Sequence, residues 1–328
     1  MVHSEVGIPQ DGRPLLNSTL KHLNPSVRES WQMMTAPCAK DMNAFFADLL
    51  SHCVSKHPRE SVRCMDQVSQ VFDGRHSDLA TPIEQHRRHE RYDDQLSSWF
   101  VPLATSSQSK SKMLWAGFWD GEDAEDGRTT EKALFNFAKL VDHETVHPDT
   151  ILGRLVDKYH VFRSCDGDPG AWRKSEFGGA ASTGGPLPHF WRAASEAFVW
   201  AMAKANQQSI PVMLNKDMYF YNPRNLWLSV FWQFEIPAIV NSHPYGHWCP
   251  KIVLVDLRGK CGKLRSLIRT KLDGVLPPGY PDRRFCGDVV CLPCGPGCKL
   301  DKEFANVLKT LLFTPGSSTE GSELLGGR

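Results

Sequence analysis

Lys251-Ile-Val-Leu-Val-Asp-Leu257 is the stretch that decides the architecture. It is an unbroken β-branched and apolar run that stops at Gly259, and it reads as a strand with both faces enclosed. Ile210-Pro-Val-Met-Leu214 before it and Asp288-Val-Val-Cys-Leu292 after it share that texture. Leu226 to Ile236 mixes β-branched and aromatic residues and is predicted as a further strand. Helical spacing fills the intervals: Phe190 to Ala205 has a strongly apolar face, and Leu264 to Leu272 forms a shorter helix. Strands separated by helices or long connections favour a parallel sheet. The predicted class is α/β, a helical N-terminal part plus a small parallel β-sheet flanked by helices, with an active-site cleft between them.

Outward from that sheet the texture becomes helical. Val27 to Val54 repeats apolar residues at helical spacing, with Pro37 interrupting or restarting the helix. Thr129 to Val141 is amphipathic, and Asp149 to Tyr159 is a helix that Pro148 would open at its first turn. Residues 72–98 are rich in His and Arg and read as a solvated face. The expected organisation is 1–112 as an N-terminal extension and helical segment, 113–206 as the helical part of a core, 207–300 as its α/β part, and 301–328 as a C-terminal helix and tail.

With 328 residues, a net charge of +1 and 41% apolar residues, the composition is that of a globular chain without a basic field for nucleic acid. No run is long and apolar enough for a transmembrane helix. Met1 to Pro9 lacks the features of a secretory signal, so the chain reads either as intracellular or as missing its targeting segment. The dinucleotide fingerprint, the P-loop and the nucleophile elbow are all absent from the sequence. Ten cysteines permit disulfides, and Cys286-x4-Cys-x2-Cys-x3-Cys298 could instead supply thiolates to zinc.

What remains is an aromatic and acidic set: Trp115, Trp119, Asp149, Trp191 and Glu235. Singly, each has an ordinary structural explanation in a core or on a solvated strand end. In order along the chain, their surroundings resemble the ADP-ribosyl cyclases, the NAD glycohydrolases of animals. Met113-Leu-Trp-Ala-Gly-Phe-Trp-Asp120 resembles that family's opening Trp segment. His147-Pro-Asp-Thr-Ile-Leu-Gly153 is similar to its Thr-Leu-Glu-Asp-Thr-Leu-x-Gly motif. Ser164-Cys165 with Trp172-Arg-Lys174 is similar to its Cys-Pro-Asp-Trp-Arg-Lys segment. Phe190-Trp-Arg-Ala-Ala-Ser195 resembles its Phe-Trp-x-x-x-Ser helix start, and Val212-Met-Leu-Asn215 its following strand. Phe231-Trp-Gln-Phe-Glu-Ile-Pro237 resembles its Phe-Gly-x-x-Glu catalytic strand. The likeness spans roughly residues 113–300.

The resemblance implies cleavage of the nicotinamide–ribosyl bond of NAD, giving cyclic ADP-ribose, ADP-ribose or both. Nicotinamide leaves as a neutral pyridine, so the demand is on a carboxylate that stabilises an oxocarbenium-like ribose. The resemblance assigns that role to Glu235. It places Trp115 and Trp191 on the nicotinamide, Ser195 near phosphate and ribose, and Asp149, Pro148 and Phe231 around the substrate. It implies no cofactor, NAD being the substrate, with NADP an open second substrate and the oligomeric state undetermined. Two departures stand out. Pro148 replaces the family's acidic residue, which biases the intermediate between water and adenine, and Trp232 replaces the glycine of the catalytic strand, narrowing the pocket. By the same resemblance, Cys261 pairs with Cys286 and Cys294 with Cys298, and Ser175 stands at a missing cysteine. The alternatives are a catalytically weakened nucleotide-binding or receptor-like relative, and a zinc-stabilised interaction protein.

Overall fold

The computed structural model describes residues 20–74, 98–106, 110–117, 130–172, 185–215, 226–227, 229–242, 248–259, 261–275 and 284–314. Its centre is a four-stranded, wholly parallel sheet in the order β2–β4–β5–β6: β2 is Leu114–Ala116, β4 Ser209–Leu214, β5 Lys251–Asp256 and β6 Val289–Pro293. A two-residue parallel pair, β1 (Ser111–Lys112) with β3 (His143–Glu144), lies beside it in the chain. The chain is α/β with small parallel sheets flanked by helices, as expected.

The helices are α1 (Pro25–Gln32), α2 (Ala36–Lys56), α3 (Ser61–Asp73), α4 (Glu131–Leu140), α5 (Ile151–Lys158) and α6 (Val161–Ser164). They continue with α7 (Pro186–Lys204), α8 (Ile236–Val240), α9 (Cys261–Gly274) and α10 (Lys302–Phe313). Pro37 does restart the first helical stretch. It sits in the opening turn of α2, where its missing N–H breaks no helical bond.

Both faces of the sheet are covered, which is why β4 and β5 read as continuous apolar runs. Ile252 and Leu254 face one cluster with α7, α8 and α9; Val253 and Val255 face another with α4 and α10. The first cluster also holds α1 to α3, so the N-terminal segment is part of the main core. Phe190 at the start of α7 meets Phe45 of α2 edge-on at 4.9 Å and Phe72 of α3 in a stack at 5.7 Å. Such pairs add about 0.5–1.5 kcal/mol each beyond burial. They set the position of the next residue, Trp191.

All ten cysteines pair: Cys38–Cys165, Cys53–Cys64, Cys249–Cys286, Cys261–Cys291 and Cys294–Cys298. Cys294–Cys298 is as expected. The expected Cys261–Cys286 pair is corrected, because Cys261 opens α9 beside Cys291 of β6 and Cys286 meets Cys249 instead. The zinc reading falls on the same ground, since disulfide sulfurs are not thiolates. Among the described residues no helix is long and apolar enough to cross a membrane.

Two other expectations change. Residues 231–235 are a π-helix running into α8, where a strand was predicted. The Ser229 hydroxyl oxygen accepts the Trp232 N–H at 3.1 Å and starts this helical turn. The Ile236 N–H bonds Phe231 O, five residues back, and Pro237 has no N–H to resume the tighter ladder at once. Packing on α7 overrides the β preference of these side chains. Pro148 does not open α5. Thr150 caps that helix through Gly153 N–H at 3.1 Å, and Pro148 lies in the preceding turn, after a cis peptide bond. The His- and Arg-rich segment falls almost wholly outside the described residues, as do Trp119 and Ser175.

Candidate active site

Glu235 ends the π-helix and is 4% exposed. Its carboxyl is hydrogen-bonded to Ser195, while its Oε2 is buried with no hydrogen-bond partner. Burial pushes its pKa up from 4.5 to about 8, with the Ser195 hydrogen bond working against the rise. A buried carboxyl with an unmet oxygen is costly to fold, and such costs concentrate at functional sites. A π-turn directly before it is also a common functional device.

α7 supplies the surroundings. Trp191 precedes Ser195 by one helical turn, so the two share a face of the helix. Arg192 is buried; its guanidinium lies over the Phe234 ring at 5.1 Å and reaches His189 Nδ1 at 3.1 Å. Phe234 is the residue before Glu235, so a cation is fixed beside the candidate carboxyl's own turn. Burial lowers the Arg192 pKa to about 10, opposed by Glu196. Burial raises Glu196 to about 8, opposed by Arg192. Burial thus shifts two carboxyls toward holding their protons near neutral pH, Glu235 bonded to Ser195 and Glu196 set against Arg192.

A chain of rings connects the other expected residues. Trp115 meets Phe135 of α4 edge-on at 6.3 Å, Phe135 meets His147 at 6.0 Å, and His147 meets Trp191 at 6.0 Å. Phe162 stacks on Trp191 at 5.2 Å with the planes only 5° apart. One face of Trp191 is therefore taken, and Phe190 meets the ring at a steep angle, centroids 5.2 Å apart. His147 is hydrogen-bonded to Asp157 at 3.0 Å. The turn carrying Pro148 is tied down by the Thr145 N–H, which donates to Asp149 Oδ2 at 2.9 Å, and by the Thr145 hydroxyl, which donates to His147 O at 2.6 Å. A Cβ at Gly153 would come within 2.8 Å of Val146 O, so the small residue lets α5 close on this turn.

The structure thus joins Trp191, Ser195 and Glu235 directly, and Trp115, Pro148 and Asp149 through the His147 turn and its rings. Phe231 is fully buried in the core. The Trp232 ring lies under the Lys271 ammonium of α9 at 5.3 Å, so it packs toward that helix. Sequence reasoning missed His147, Arg192, Glu196, Phe162 and Asn215. Arg192 and Glu196 carried a usable signal, an opposite-charge pair at helical spacing inside a strongly apolar helix. The rings of Phe162 and His147 carried none, since only the fold brings them to Trp191.

No protein-family model, no curated protein and no solved structure matches the chain. Among the described residues no group of His, Cys, Asp or Glu could hold a metal ion.

Proposed function

We propose that this protein cleaves the nicotinamide–ribosyl bond of NAD, with Glu235 as the carboxylate that stabilises the oxocarbenium-like ribose. One observation carries the reading: the Glu235 carboxyl is buried, held by Ser195 one turn below Trp191, and has an oxygen without a protein partner. A cationic pyridinium arriving beside it would favour the ionised carboxyl and so activate it on binding. An indole such as Trp191 suits a flat cationic ring. Arg192 would add attraction for a diphosphate.

With proline at position 148, no acidic side chain stands there to steer the intermediate toward water, and the neighbouring Asp149 carboxylate is engaged by the Thr145 N–H and hydroxyl. Cyclic ADP-ribose is therefore expected to be a substantial product. The disulfide set fits an oxidising compartment, to which we assign the protein. The test is incubation with NAD and chromatographic quantification of nicotinamide, ADP-ribose and cyclic ADP-ribose. Nicotinamide release that drops at least about a hundredfold in Glu235→Gln is the expected result. Absence of release by the wild type would overturn the proposal, and almost pure ADP-ribose would overturn the partition.

A further inference from the structure

Glu235 Oε2 is not alone among the described residues: Ser69 Oγ and Asn215 Oδ1 are also buried oxygens without a partner, and Asn215 is not on the α7–π-helix junction. Asn215 follows the last residue of β4 and is 1% exposed, and its Oδ1 has no hydrogen-bond partner. The residue cannot turn to relieve this. Its backbone N–H donates to Ala116 O at 3.1 Å, which continues the β2–β4 ladder, and its Nδ2 donates to Gly117 O. Exchanging the amide's nitrogen and oxygen would set two acceptors against each other, so the Gly117 carbonyl fixes Oδ1 as the atom left over.

The location matters as much as the vacancy in its bonding. All strands of this sheet are parallel, and Asn215 lies at their carboxyl edge, where ligands enter α/β sheets. Two residues before it, Met213 is the cross-strand partner of Trp115. The amide is therefore clamped beside the strand end that presents Trp115. An unmet, rigidly oriented acceptor at such an edge costs free energy in the empty protein and returns it when a donor arrives.

We infer that Asn215 Oδ1 is a specificity-determining acceptor that takes a hydrogen bond from an N–H or O–H donor of the substrate. Resting on the NAD reading above, that donor is either the carboxamide NH2 of nicotinamide or a hydroxyl of the adjoining ribose. Asn215 forms no bond with the reacting carbon and moves no proton. It selects and orients the ring whose departure Glu235 supports.

The experiment compares kcat/KM for NAD, nicotinic acid adenine dinucleotide and NAD analogues deoxygenated at the nicotinamide ribose, using wild type, Asn215→Leu and Asn215→Asp. Leucine removes both the acceptor and the Gly117 clamp, whereas aspartate keeps an acceptor oxygen while setting its second oxygen, in place of the donating NH2, against Gly117 O. The wild type should prefer NAD over the analogue lacking the donor by about ten- to a hundredfold. Asn215→Leu should lose that preference, while Asn215→Asp retains most of it. Discrimination against the acid analogue identifies the carboxamide as donor; discrimination against a deoxy analogue identifies the hydroxyl. An unchanged preference in Asn215→Leu, or equal effects of Leu and Asp, would show a purely structural clamp and overturn the inference while the NAD reading stands. A wild type that releases no nicotinamide overturns both.

Discussion

Replacing Glu235 with glutamine should cost activity and restore stability, and the stability gain should depend on pH in a defined way. Burial raises the Glu235 pKa from 4.5 to about 8. Between those values the folded chain holds a proton that the unfolded chain has released. The stability of the wild type is therefore greatest below about pH 4.5 and declines as pH rises through about 8. At about 1.36 kcal/mol per pKa unit, the full decline is roughly 4–5 kcal/mol, of which about 3 kcal/mol is already lost at neutral pH. Glutamine keeps the size and the Ser195 contact but does not ionise. Its NH2 group is left buried and unpaired, at a pH-independent cost of about 1–3 kcal/mol. Subtracting the variant from the wild type removes the titration of Glu196, which both share. Urea unfolding at intervals from about pH 5 to about pH 9 measures the difference directly. The variant should gain on the wild type by roughly 4 kcal/mol across that range. A difference that stays flat with pH would show that Glu235 is solvated as an ordinary carboxylate, and the case for a buried catalytic group would fail with it.

The same ionisation should appear in the kinetics. kcat/KM for NAD reports the free enzyme and should rise tenfold per pH unit up to about 8 before levelling. In kcat the inflection should fall lower, because the bound pyridinium favours the anion; identical inflections would contradict that coupling. Asp168 offers a stability test outside the site. Burial alone would raise its pKa, but the N–H and hydroxyl of Thr35 and the N–H groups of Gly170 and Ala171 donate to it at 2.7–2.9 Å and hold it low. Asp168→Ala should cost about 2–3 kcal/mol at neutral pH, and the loss should fade as pH falls below 3.8, where the wild-type carboxylate protonates; a loss that persists in acid would refute the account. Non-reducing peptide mapping should recover Cys249–Cys286 and Cys261–Cys291. Finding Cys261 joined to Cys286, or free thiols, would contradict the arrangement.

The sheet strands were legible because their side chains are buried on both faces. That condition leaves an unbroken apolar run at 210–214 and 251–256 with turn residues after it. The amphipathic helices α4 and α7 were legible for the matching reason, a face set by period 3.6. Residues 226–236 failed because a β-branched and aromatic composition describes a surface to be packed and says little about the backbone that presents it. There the tertiary partner decided. α7 offered an apolar face, Ser229 capped the first turn, and Pro237 forced the wide register that ends on Glu235. The Cys261–Cys286 expectation failed for a related reason: two cysteines can bond only if their backbones meet, and it is the β5–β6 register that brings Cys291 to Cys261.

For the candidate site the division is similar. Residue order along the chain was enough to single out Trp115, Asp149, Trp191, Ser195 and Glu235, because each sits in a recognisable local pattern. Burial, pairing and the direction of a lone pair have no local pattern. That Glu235 keeps an unmet oxygen, that Phe162 covers one face of Trp191, and that Gly117 turns the amide of Asn215 are consequences of elements distant in sequence meeting in space. The sequence by itself determined the α/β class, the strand and helix texture and the chemical types available. Only the tertiary structure decided which of those groups are desolvated together, and desolvation is what converts an ordinary carboxyl or amide into a candidate for catalysis or selection.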